Sequence, residues 1–107
     1  MKILCGERQS GKTTALIKQS AETGFYIVCV HRQEALRVAR MADELKLFIP
    51  FPLTFDELLN RRYNGRGVKG FLIDESLQLL QSLTYVPVHT ITIDSTDMNI
   101  VVKGQQT

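Results

Sequence analysis

Short apolar runs alternate along the chain with stretches in which apolar residues recur every three or four positions. The runs predict buried strands at Lys2–Cys5, Phe25–Val30, Phe71–Ile73 and Val88–Ile93. The helical spacing predicts helices at Lys12–Glu22, Gln33–Leu47 and Leu77–Leu83. Thr54, followed three residues later by Glu57, has the spacing of a capping box and predicts a further short helix. The segment 98–107 leaves room for one more short strand.

The order of these elements favours an α/β fold. Strands that alternate with helices indicate a parallel sheet, and continuous apolar runs are typical of strands buried on both faces. We therefore predict a three-layer α/β/α fold with a mostly parallel sheet. A length of 107 residues suits a single domain, which we place at 1–107.

Composition and charge narrow the class of protein. Hydrophobic residues make up 44% of the chain and charged residues 22%, as in an ordinary globular domain, and the net charge of +2 is too small to indicate nucleic-acid binding. Cys5 and Cys29 both lie in apolar runs, which predicts two buried, reduced thiols. No run approaches the roughly 18 apolar residues that span a bilayer. We therefore expect a cytoplasmic protein with no membrane partner.

The segment "GERQSGKT", residues 6–13, matches the spacing G-x-x-x-x-G-K-[ST] between a predicted strand and a predicted helix. Glycines let backbone amides approach phosphate oxygens, and the helix N-terminus adds partial positive charge. Lys12 could then reach the β and γ phosphates and Thr13 could bind Mg²⁺. The alternative is a glycine turn with an exposed lysine. The nucleotide-binding candidates are Gly6, Glu7, Arg8, Gln9, Ser10, Gly11, Lys12, Thr13 and Thr14.

Carboxylates follow the apolar run "FLIDE", and in a parallel sheet this strand end lies at the same edge as residues 6–13. Asp74 is a candidate for binding Mg²⁺ through water, and Glu75 for orienting or deprotonating an attacking water. Ser95 and Thr96, in "TIDST", are candidates for contacting the γ-phosphate. The alternatives are a solvated acidic strand end and a strand-end turn.

These two motifs resemble Walker A and Walker B of the P-loop NTPases. The glutamate directly after the aspartate is similar to the RecA-like branch with an additional strand and a catalytic glutamate, which includes helicase and terminase cores. The resemblance implies ATP and Mg²⁺ as cofactors, Lys12 and Glu75 as catalytic residues, and Thr13 and Asp74 at the metal. It also implies a further strand between the first strand and its sequence successor.

A closer likeness is to the first motor domain of superfamily 1 helicases. "VHRQEALRVA" and "LTFDELL" stand where those helicases contact single-stranded DNA, which nominates His31, Arg32 and Thr54. The alternatives are a helix start at Arg32 and a helix cap at Thr54.

The chain also departs from that pattern. A helicase has a second RecA-like domain, and a motor normally needs an arginine finger. The basic segment 61–70 precedes a predicted strand and so lies at the sheet edge opposite the nucleotide. We expect a finger to come from a second copy of the chain or from a partner protein. A single small core suggests a protein of a virus or mobile element, and a viral protein would act in the host cytoplasm.

Three functions fit these observations. The leading hypothesis is an ATP-binding protein with weak Mg²⁺-dependent ATPase activity that serves a DNA transaction. A second is a nucleotide-binding module without turnover. A third is a nucleoside kinase of the thymidine kinase type, which also pairs "SGKTT" with a strand ending "IDE". The chain lacks that family's cysteine-rich zinc segment and nucleoside lid.

Overall fold

The protein is described by a computed structural model covering residues 2–6, 11–84, 86–90, 92 and 99–103, with backbone alone at 2–6 and 99–103. Strands and helices alternate through much of this part of the chain. In order they are β1 Lys2–Gly6, α1 Lys12–Thr23, β2 Tyr26–Cys29, α2 Arg32–Glu44, β3 Leu53–Thr54, α3 Phe55–Leu59, β4 Phe71–Ile73, α4 Ser76–Gln81 and β5 Asn99–Lys103.

The described strands pair in parallel, as the sequence predicted. β2 lies between β3 and β4 in a three-stranded sheet, with Val28 opposite Leu53 and Tyr26 opposite Phe71. β1 pairs with β5 from Lys2 opposite Asn99 onward. The protein is therefore a small α/β structure, in which the carboxyl ends of β2, β3 and β4 share one sheet edge.

Alternate residues of β2 belong to two different hydrophobic clusters. Ile27 and Cys29 pack with the buried residues of α1 and α2, whereas Val28 packs with Leu53 and Phe55. Side chains that alternate along a strand point to opposite faces of its sheet. The members of the larger cluster are Leu16, Ile17, Ile27, Cys29, Ala35, Val38, Ala42 and Leu72.

Local chemistry fixes where α1 and α2 end. Gly24 ends α1 in the left-handed conformation, at φ 77°, and its N–H bonds to the Ser20 carbonyl. α2 ends at Glu44 rather than at the predicted Leu47, because Lys46 takes a positive φ of 59° and turns the chain.

The strand predicted at 88–93 is wrong for the residues of it that the structure describes. Residues 88–90 and 92 are irregular, and Ile91 and Ile93 lie outside the described residues. The Gln81 side chain donates to the Val86 carbonyl at 3.0 Å and accepts from the Val88 N–H at 2.7 Å. These backbone groups therefore bond to a side chain, and Pro87 between them has no N–H to offer a neighbouring strand. The short strand allowed for in 98–107 is present as β5.

Each helix in the described part of the chain is too short or too polar to cross a lipid bilayer.

Candidate functional site

A cleft of about 1050 Å³ lies at the carboxyl ends of β2 and β4. The start of α1 forms one part of its wall, the first turns of α2 form another, and the residues that follow β4 form a third. Seven residues singled out by sequence line this one cleft, namely Gly11, Lys12, Thr13, Thr14, His31, Asp74 and Glu75. Parallel pairing of β2 with β4 explains why His31 and Asp74 meet there, because it brings the carboxyl ends of the two strands to one edge.

The remaining sequence candidates for the nucleotide lie beyond what the structure describes in full. Gly6 ends β1, where only the backbone is described. Glu7, Arg8, Gln9, Ser10, Ser95 and Thr96 lie outside the described residues.

The N-terminus of α1 has the features of an anion site. Gly11 takes a left-handed conformation, at φ 88° and ψ 9°, and no side chain among the described residues caps the helix there. The ladder begins with the Ala15 N–H bonding to the Gly11 carbonyl at 3.0 Å. The amides of residues 12–14 therefore precede the ladder at the positive end of the helix dipole.

Asp74 is half-buried and extends the sheet, since its N–H donates to the Val28 carbonyl at 3.0 Å. Burial raises the pKa of its carboxyl, and the neighbouring Glu75 charge raises it further. Arg37 and Lys12 act on the same carboxyl in the opposite direction. A cation bound beside Asp74 would offset the cost of burying this charge.

Glu75 is exposed and holds a left-handed backbone, with φ 63° and ψ 54°. A non-glycine residue in this region costs about 1–2 kcal/mol, and such strain concentrates at functional sites. The turn directs the chain from β4 into α4 and leaves Glu75 in the cleft wall.

Sequence reasoning missed the acidic and basic pair that α2 contributes to the cleft. Glu34 and Arg37 both line it, and Arg37 Nη2 lies 2.8 Å from Glu34 Oε2. Arg37 Nε also donates to Glu34, at 3.2 Å to Oε2, and Nη1 contacts Met41 Sδ at 3.2 Å. The spacing of 34, 37 and 41 places these side chains on one helix face, directly after a strand that ends at the site edge. That signal was present in the sequence.

Cys29 also lines the cleft and is 1% exposed. Burial is the main cause that raises the pKa of its thiol to about 12, and the Asp74 and Glu34 charges add to this. The prediction of a buried, reduced thiol is confirmed for Cys29. The Cys5 side chain lies outside the described part of the structure.

The three nucleic-acid candidates do not share one position. His31 lines the cleft and caps α2, because its Nδ1 accepts from the Glu34 N–H at 3.4 Å. Thr54 caps α3 through a complete capping box with Glu57. Arg32 is exposed at the start of α2. Contact with DNA at these residues stays a prediction.

The chemistry of two cleft residues suits a magnesium ion. Thr13 carries a hydroxyl and Asp74 a carboxylate, and both residues line the cleft. Mg²⁺ usually keeps several waters and binds one or two protein groups together with substrate phosphates. No group of three or more metal-binding side chains is present among the described residues, and a site of this kind does not require one.

Comparison of the chain with protein-family models, with curated proteins and with solved structures gives no match.

Proposed function

We propose that this protein binds Mg²⁺-ATP and hydrolyses it slowly in the service of a DNA transaction. One observation carries the proposal: the N-terminus of α1, with Lys12 and Thr13, lines the same cleft as Asp74 and Glu75. In a phosphoryl-transfer reaction, cationic groups of this kind bind the phosphates, and carboxylates bind the metal and orient the attacking water. Here the two kinds of group come from two distant parts of the chain.

The packing supports a three-layer, RecA-like arrangement as part of the same proposal. Ile27 and Cys29 face α1 and α2, whereas Val28 faces Phe55 of α3. The described pairings join β1 to β5 and β2 to β3 and β4. This pattern is compatible with a core in which β1 and β2 are not adjacent.

In the proposed mechanism, the chain binds the phosphates and Mg²⁺ and orients and activates the attacking water. The amides of residues 12–14 and the Lys12 ammonium bind the phosphates. Thr13 and Asp74 would hold Mg²⁺, which neutralises phosphate charge when bound. The Glu75 carboxylate orients the attacking water and accepts its proton.

The expected turnover is slow. An arginine supplied in trans is worth about 10³–10⁵ in rate to enzymes of this chemistry. The basic segment 61–70 precedes β4 and so lies at the edge opposite the cleft. A nucleic acid or a protein partner that completes the site would raise the rate.

The test is ATP hydrolysis by the full chain with Mg²⁺, alone and with single-stranded or duplex DNA. Turnover should fall at least about 100-fold in Glu75→Gln, because general-base catalysis contributes about 10²–10⁴-fold. ATP affinity should be retained in that variant. Lys18→Ala is the matched control, since Lys18 is exposed on α1 and is not part of the cleft lining.

Two results would count against the proposal. If Glu75→Gln and the wild type bind ATP equally and neither turns it over with any DNA, the protein is a binding module. If neither binding nor turnover responds to Lys12→Ala, the nucleotide site itself is wrong.

A further inference from the structure

We propose that Arg37 is a phosphate-contacting cation supplied from within the chain, and that Glu34 holds its guanidinium at the cleft wall. This inference rests on the proposed nucleotide site. It adds a cation from within the chain to the binding site, separate from the arginine finger expected from a second copy or a partner protein.

The position of Arg37 is the first ground for the proposal. Arg37 lines the cleft together with Lys12 and Asp74. Lys12 belongs to α1 and Arg37 to α2, so two different helices each contribute a cation to the cleft that Asp74 also lines. In the proposed site the substrate phosphates lie beside the magnesium ligand Asp74, in the space that both cations line.

The hydrogen bonds of the guanidinium are the second ground. Glu34 accepts from Nε and Nη2, which belong to one edge of the fork, and fixes the plane of the group. Nη1, on the other edge, contacts the thioether sulfur of Met41, a weak acceptor. A phosphate oxygen is a much stronger acceptor for a guanidinium. It can replace Met41 Sδ at Nη1 while Glu34 remains bound.

The alternative is an ion pair that only stabilises α2. Exposed pairs at this spacing contribute about 0–1 kcal/mol, and they do so equally well on any solvated face of a helix. Arg40 lies on the same helix, is exposed and is not part of the cleft lining. A comparison of variants at Arg37 and Arg40 therefore distinguishes a role in the cleft from a general role in helix stability.

The experiment measures the dissociation constants of Mg²⁺-ATP and Mg²⁺-ADP for the full-length wild type and variants. Arg37→Ala should weaken ATP binding about tenfold or more, because a hydrogen bond to a charged group is lost. ADP binding should change less than threefold if Nη1 reaches the γ-phosphate. Arg40→Ala should leave both constants unchanged.

A charge swap and a double-mutant cycle test the two residues together. Glu34→Arg combined with Arg37→Glu keeps an ion pair at the same spacing but moves the cation, and should still lose the preference for ATP. Glu34→Ala should weaken ATP binding by itself, and should add little to Arg37→Ala, because it acts through that guanidinium. Glu34→Asp should restore part of the loss.

The outcomes separate this inference from the one on which it rests. Loss of the ATP preference in Arg37→Ala, with Arg40→Ala normal, supports it. If wild-type binding depends on Lys12 but the ATP-to-ADP ratio is unchanged in Arg37→Ala, Arg37 is structural and the nucleotide site stands. If the swapped variant binds ATP like the wild type, a cation at position 34 of the cleft serves as well as one at 37, and the specific role of Arg37 is overturned. If wild-type binding of ATP does not depend on Lys12, both proposals are overturned.

Discussion

The first N–H groups of any helix have no partner within the helix, and α1 and α3 differ in which side chains their sequences place near those groups. α3 is completed by its own side chains: the Thr54 hydroxyl accepts from the Glu57 N–H at 3.2 Å, and the Glu57 carboxylate accepts from the Thr54 N–H at 3.0 Å. Asp56 and Glu57 also place negative charge in its first turn. α1 has Gly11 as its N-cap, begins at Lys12 and has no acidic residue in its first turn.

The difference separates a structural helix end from one suited to a ligand. A helix N-terminus favours negative charge, so a lysine there opposes the helix dipole. A sequence that breaks a local rule at one helix and satisfies it at another commonly does so for function. An anion bound at the N-terminus of α1 would stabilise that helix, whereas the side chains of α3 already cap its own N-terminus.

The largest expected effect concerns ligand binding at α1. Lys12→Ala should weaken ATP binding about ten- to hundredfold, because charge-assisted hydrogen bonds of about 1.5–3 kcal/mol are lost. Thr54→Ala should leave ATP affinity unchanged. Titration of both variants with a fluorescent ATP analogue measures this, and an equal loss in the two would remove the distinction between the helix ends.

The next largest effect is on the free energy of unfolding, and here the substitution at Thr54 should have a larger effect than the one at Lys12. Thr54→Ala should lower the free energy of unfolding by about 1 kcal/mol, because the helix loses its cap. Lys12→Ala should change it by less than about 1 kcal/mol, since removal of a charge that opposes the dipole is offset by loss of its attraction to Asp74. Urea unfolding without nucleotide measures both. A Lys12→Ala protein destabilised as much as Thr54→Ala would show that this lysine supports the fold.

The smallest expected effect is on how the free energy of unfolding depends on pH, and two aspartates test it. The raised pKa of Asp74 means that its charged form costs stability, so Asp74→Asn should be more stable than the wild type at pH 7. This gain should shrink as the pH is lowered through the raised pKa, and should vanish below the ordinary aspartate value of 3.8.

Asp56→Asn is the matched control for this comparison. Asp56 is exposed in the first turn of α3, where its charge favours the helix, so its substitution should destabilise at pH 7. Unfolding free energies measured across the pH range check both signs. A gain in Asp74→Asn that is constant with pH would exclude ionisation as its cause.

Much of the fold was predictable because the local sequence patterns and the long-range packing favour the same helices and strands. The apolar run before Asp74 formed β4 with the predicted bounds, and the pair Thr54 and Glu57 formed the predicted capping box. The sequence also predicted that Lys12 and Asp74 lie at one sheet edge, and both residues line the cleft. Two strong local signals thus positioned most of the described site.

The errors arose where a tertiary or side-chain contact decided the outcome. The apolar pattern at 88–93 could not reveal that Gln81 bonds to the backbone at Val86 and Val88. The pair Glu34 and Arg37 was visible, but its charges also suit a solvated helix face. Only the docking of α2 on β2 shows that this face borders the cleft.

The pairing of β1 with β5 has a consequence for the order of folding. Lys2 lies opposite Asn99, so this ladder closes a loop that includes most of the chain. Closing long loops is entropically costly, and contacts of high sequence separation form slowly. During synthesis β1 gains this partner only after residues 99–103 have emerged, by which point the residues of β2, β3 and β4 have all been synthesised. The strand that leads into the proposed nucleotide-binding segment is thus expected to pair late, and a nascent chain that binds nucleotide there should do so late.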